Sequence, residues 1–187
     1  DAFEWLRNNV DQGKYRGVIL NNDCWVDVDT GNANKNYVPI NKNEKKDYVN
    51  NILSRKKLPY ENESMSTTEI LNLIPKAYEN FEKIRQKIGW ISDTMIILKT
   101  TNIDDDLIIA ISCNGKGFSK ISNDDVKKYE RRMVMSLDIR LLKWLLYGPD
   151  KAHWSDADLG SHLRYERVGS VYKRGLFYCW NYFCAET

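Results

Sequence analysis

Two residues of this chain, His153 and His162, could act as imidazole bases or metal ligands, and both fall in one polar stretch that also holds Asp156 and Asp158. A zinc centre takes four protein or water ligands at recognisable spacings, and a multi-histidine centre cannot be assembled from two histidines alone. His153, Asp156, Asp158 and His162 are the candidates for a divalent ion, but their spacing matches no ligand motif. The reading is therefore no metal and no cofactor in this chain. The stretch reads instead as a structural loop over residues 151–161. In it, aspartate and histidine satisfy backbone N–H groups, Trp154 and Leu159 anchor to the core, and Gly160 turns the chain into a following strand.

Other chemistries fail on geometry. Ser161 and His162 are adjacent, but neighbours on a strand point to opposite faces, and no G-x-S-x-G elbow is present. Gly115-x-Gly117 is followed by a strand pattern, whereas a phosphate loop needs a helix N-terminus. Asp104, Asp105 and Asp106 sit at an expected hairpin tip and are too few for a calcium loop. No catalytic residue is assigned, and a self-sufficient enzyme is the least favoured of three functional classes.

With 28 basic and 26 acidic side chains, the formal charge is +2. That balance creates no global field for nucleic acid or an anionic membrane surface, and the lysine and arginine clusters at 42–46, 55–57 and 127–132 read as solvated faces. No stretch approaches the ~18 consecutive apolar residues of a membrane span, and the opening residues Asp1-Ala2-Phe3-Glu4-Trp5 do not form a signal peptide. The four cysteines, Cys24, Cys113, Cys179 and Cys184, include no C-x-x-C pair. They read as free thiols in a reducing compartment, which makes the expected location cytoplasmic.

The elements that must position these residues follow from periodicity. Phe3, Leu6 and Val10 have helical spacing over residues 2–10. Residues 17–20 and 24–28 read as short strands or extended segments, 30–43 as a long loop, 41–53 as a weak helix and 59–64 as a polar loop. Ser66-Thr67-Thr68-Glu69 is a capping box. Behind it Ile70, Leu73, Ile74, Ala77, Tyr78, Phe81, Ile84 and Ile88 predict the strongest helix, with a kink or break at Pro75. Strands are expected at 94–100, 107–112, 117–121 and 132–136, forming an antiparallel meander. A Leu-rich helix capped by Asp138 follows over 139–147. An edge strand at 162–167 and an aromatic helix from Ser170 through Phe183 complete the chain. The expectation is one α+β domain over 1–187, an antiparallel sheet of about five strands with helices on one face. Residues 1–65 are an irregular lead-in.

The order of the last ~95 residues resembles the sterol carrier protein type of fold: a long helix, strands around Asn114-Gly115-Lys116-Gly117, a strand through Val134-Met135-Ser136, a helix ending Leu145-Leu146-Tyr147-Gly148, a Gly-led strand and a terminal helix. Residues 148–165 and 172–183 are similar to segments that follow the catalytic domain in some bacterial metallo-β-lactamase-fold proteins. The H-x-H-x-D-H motif of that catalytic domain is absent from this chain. The resemblance implies an accessory, assembly-mediating domain at the C-terminal side of a larger protein, with that catalytic domain or a second copy of the chain as partner. The alternative is a small carrier of an apolar ligand such as a lipid. The final helix is apolar around most of its circumference, so one face must be core and a second is covered by core as well or lies in an interface or ligand tunnel. For either function Leu145, Phe177, Trp180 and Phe183 are the candidate ligand or interface residues.

Overall fold

Sequence order and spatial order part company after the third strand. The computed structural model describes residues 5, 8, 9, 17–103, 106–169 and 173–186. The chain divides into two units, Asp1–Lys57 and Leu58–Thr187.

In the first unit a helix, α1 (Lys42–Asn51), is capped by Asn41, whose side chain accepts from the amides of Asn43 and Glu44. Of the short strands or extended segments expected at 17–20 and 24–28, neither is a strand. Val26 makes a single bridge to Ala33, because Asp27 turns the chain by accepting from the amides of Asp29 and Thr30 at 2.9 and 2.8 Å. Most of the helix expected at 2–10 lies outside the described residues. Trp5, Asn8 and Asn9 are helical within it.

The second unit is an α+β structure built on α2 (Thr67–Lys87), β1 (Met95–Thr101), β2 (Ile108–Ser112), β3 (Phe118–Lys120), β4 (Arg132–Asp138), α3 (Ile139–Tyr147), α4 (Trp154–Leu159), β5 (Arg164–Val168) and α5 (Arg174–Trp180). Ser66 caps α2 by accepting from the Glu69 amide, and Ile70, Ile74, Ala77 and Phe81 form its buried stripe. The helix runs unbroken through Pro75. The break that was one of the two outcomes expected there does not occur, and Pro75 is exposed.

The five-stranded sheet has the order β3-β2-β1-β4-β5. It is mixed, which corrects the all-antiparallel expectation: β1 and β4 are parallel, from Met95 opposite Arg132 to Thr101 opposite Asp138. The cause lies in residues 121–131. They cross the face of the sheet and deliver β4 to the free edge of β1. In crossing, Ile121, Val126 and Tyr129 cover a small second core of Ile97, Ile108, Ala110 and Val134. The opposite face, carrying Ile96, Leu98, Ile109, Ile111, Met133 and Met135, packs against the helices in the main core.

Two further expectations change. Residues 59–62 are a 3-10 turn rather than a loop, and Tyr60 within it enters the main core. Ser170 and Tyr172 lie outside the described residues, and the last helix ends at Trp180, leaving Phe183 in the turn beyond it. That turn is clamped from three sides. Asn80 Nδ2 donates to the carbonyls of Cys184 and Ala185 at 2.9 and 3.3 Å, the Ala185 amide donates to Leu146 O, and Trp154 Nε1 donates to Phe183 O. Gly148, at φ +114°, makes room for it: a Cβ there would lie 2.4 Å from the Glu186 carbonyl oxygen.

Candidate functional site

The stretch holding the histidines is partly helical, not a loop. His153 is the N-cap of α4. Its Nδ1 accepts from the Ser155 amide at 3.3 Å and lies 2.6 Å from Ser155 Oγ. An amide can only donate, so Nδ1 is the acceptor and the neutral ring carries its proton on Nε2. The loop reading missed this helix because six residues with two aspartates give no usable apolar period. Trp154 anchors the segment as expected, 3% exposed. Leu159 does not, since it is 85% exposed. With Gly160 closing so short a helix, Leu159 is left on the side away from Trp154 and Ala157.

The structure brings three of the four metal candidates to one cleft of about 270 Å³. His153, Asp156 and His162 line it together with Tyr60, Trp144 and Lys151. Asp158 lies elsewhere, beside Tyr165 in a separate cleft of about 240 Å³. There, burial first and the Asp158 carboxylate second hold the Tyr165 phenol well above its ordinary range. Among the described residues, no group of three or more His, Cys, Asp or Glu side chains is disposed to hold a metal ion.

Tyr60 organises the first cleft. Its hydroxyl lies 3.3 Å from His162 Nδ1. Its ring meets His162 edge-on at 5.9 Å and Trp144 edge-on at 6.3 Å. Burial, with help from the Asp138 and Glu61 carboxylates, raises its pKa, so the hydroxyl stays protonated at neutral pH. Sequence reasoning missed Tyr60. The available signal was Pro59 at the first position of a helical turn, with an aromatic residue directly behind it. Gly160 lets the His162 ring lie flat on the backbone, for a Cβ there would come within 2.8 Å of it.

The aromatic residues of the final helix serve the core. Leu145 and Phe183 are fully buried and Trp180 is 3% exposed. The Trp180 and Phe183 rings stack at 4.4 Å and 7°, with Trp154 edge-on to Trp180 at 5.0 Å. Of the four residues, Phe177 is the partly exposed one, and it lines a surface cleft with Trp180, Leu159 and Tyr165. Ser161 stands at φ +59°, and it is Tyr60 that His162 contacts.

The first unit holds a concavity of about 750 Å³, lined by Ile19, Leu20, Tyr37, Ile40, Lys42 and Lys45. Asn21 holds its walls together, exchanging two hydrogen bonds with the Val38 backbone at 2.9 and 2.8 Å. No helix among the described residues is long and apolar enough to cross a membrane. In comparisons with known proteins, no family model, no curated protein and no solved structure matches the chain.

Proposed function

We propose that the chain is a non-catalytic accessory domain whose first unit docks onto a partner, either the catalytic domain of a larger metallo-β-lactamase-fold protein or a second copy of the chain. One observation carries this reading. Among the described residues up to Lys57 no side chain is buried, yet eleven large apolar ones are exposed, Val28 at 95%, Val38 at 68% and Ile40 at 64% among them. A segment that buries so little apolar surface cannot offset its own ordering entropy, and an apolar surface of that kind marks an interaction site. The sterol carrier protein-like order of elements and the cytoplasmic setting belong to the same proposal. The four unpaired cysteines support a reducing compartment.

Sedimentation velocity of the full chain, across a concentration series and with Val28, Val38 and Ile40 all changed to Asp, tests it. Concentration-dependent association that the triple variant loses assigns the surface to a second copy. A monomer at all concentrations, with amides 17–57 as protected from exchange as the sheet, would overturn the docking role. A second reading, an apolar-ligand carrier, is favoured by the 750 Å³ cleft in the first unit. Its size falls in the range of small-molecule sites. Native mass spectrometry showing a co-purified amphiphile would favour that reading over docking.

A further inference from the structure

We propose that the cleft between Tyr60 and α4 is a binding site for a small zwitterion with an apolar side group, of which an apolar α-amino acid is the simplest. Four separate segments build the cleft. Leu58 and Tyr60 come from the 3-10 turn, Leu141 and Trp144 from α3, Ala152 and Ala157 from either side of the α4 cap, and His162 from the approach to β5. Its floor is apolar and aromatic. Its volume of about 270 Å³ holds about nine water-sized groups at ~30 Å³ each, which suits a single amino acid.

The polar groups at the rim set the ligand class. Lys151 and Asp156 line the same cleft, and among the described residues neither makes a salt bridge or a side-chain hydrogen bond. Lys151 acts at longer range on the Glu63 carboxylate, which is engaged first by Trp144 and Lys143. The cleft therefore presents one cation and one anion, neither held in a salt bridge among the described residues, over an apolar floor. A simple carboxylic acid would meet the ammonium but also the repulsion of Asp156, and a simple amine would meet the reverse. A zwitterion satisfies both, with charge-assisted hydrogen bonds at each end. Each rim charge is exposed and contributes modestly to affinity, so the charges select among ligands while the floor around Trp144 retains them.

Calorimetric titration of the full chain with L-phenylalanine, 3-phenylpropionate and 2-phenylethylamine tests the assignment, with amide chemical shifts locating the site. L-phenylalanine is expected to bind and to shift the amides of Tyr60, Ala157 and His162, with the acid and the amine each at least about tenfold weaker. Lys151→Met should weaken phenylalanine about threefold and improve the amine; Asp156→Asn should weaken phenylalanine and improve the acid. Both positions are exposed, and circular dichroism confirms that the variants fold. Three results overturn the proposal: no binding of L-phenylalanine at millimolar concentration, acid or amine binding as tight as the amino acid, or affinity unchanged in both variants.

Discussion

Trp154 donates its indole N–H to the carbonyl of Phe183 at 2.8 Å, so a six-residue helix holds backbone 29 positions further along the chain. The same ring is edge-on to Trp180 and to Phe183. Trp154→Ala is expected to cost about 3–5 kcal/mol through the cavity it leaves. Trp154→Phe keeps much of the ring packing and should cost about 1–3 kcal/mol for the unpaired carbonyl. Urea denaturation of the two variants measures the split. Equal losses would mean that the hydrogen bond, not the packing, dominates.

His153→Ala removes the α4 cap and should cost about 0.5–2 kcal/mol, with His153→Asn restoring most of it. After chelation, added zinc or manganese should leave the melting temperature of the native chain unchanged. A metal-dependent rise that His153→Ala abolishes would reinstate a metal site at this cleft.

Cys113 gives a pH dependence. Burial pushes its thiol from the ordinary value of 9.0 up to about 12. From about pH 9 the unfolded chain loses this proton while the folded chain keeps it, so the unfolded state binds fewer protons and stability falls as pH rises towards 12. The slope from this one group is at most about 1.4 kcal/mol per pH unit. Guanidinium midpoints between pH 8 and 11 should fall less steeply for Cys113→Ala than for the native chain. Parallel slopes would remove Cys113 as the cause.

Pro75 is exposed within an unbroken helix and cannot donate to the Leu71 carbonyl one turn back. Pro75→Ala should raise stability by about 1–3 kcal/mol. No gain would show that a bend set by the proline is needed to lay Ile74 and Ala77 on the sheet.

What the sequence disclosed depended on the range of the interaction. The capping box at Ser66 and the Ile70, Ile74, Ala77, Phe81 stripe fix α2 locally, and the structure keeps both. The apolar strands were legible for the same reason. Their pairing was not: β1 and β4 lie side by side with parallel register, and nothing in either strand states that the intervening chain crosses a face. The cleft was hidden more deeply. Tyr60 and His162 meet across 102 positions, a separation that leaves no periodic trace. The four aromatic and aliphatic residues around the final helix were recognised as important, but an apolar circumference does not say whether core or partner covers it. Here Leu145, Trp180 and Phe183 belong to the core.

The clamp on the last turn sets an order of events during synthesis. Asn80 reaches its backbone partner 104 positions later, and Leu146 and Trp154 hold the same turn. On a ribosome adding about 5–20 residues per second, α2 emerges on the order of ten seconds before the segment that satisfies its buried amide. In that interval the helix carries an unpaired polar group on the face that must enter the core, and the sheet strands emerge in the order β1, β2, β3 without the tail that closes the helical layer. The nascent chain is therefore held short of its final packing until residues 183–185 arrive.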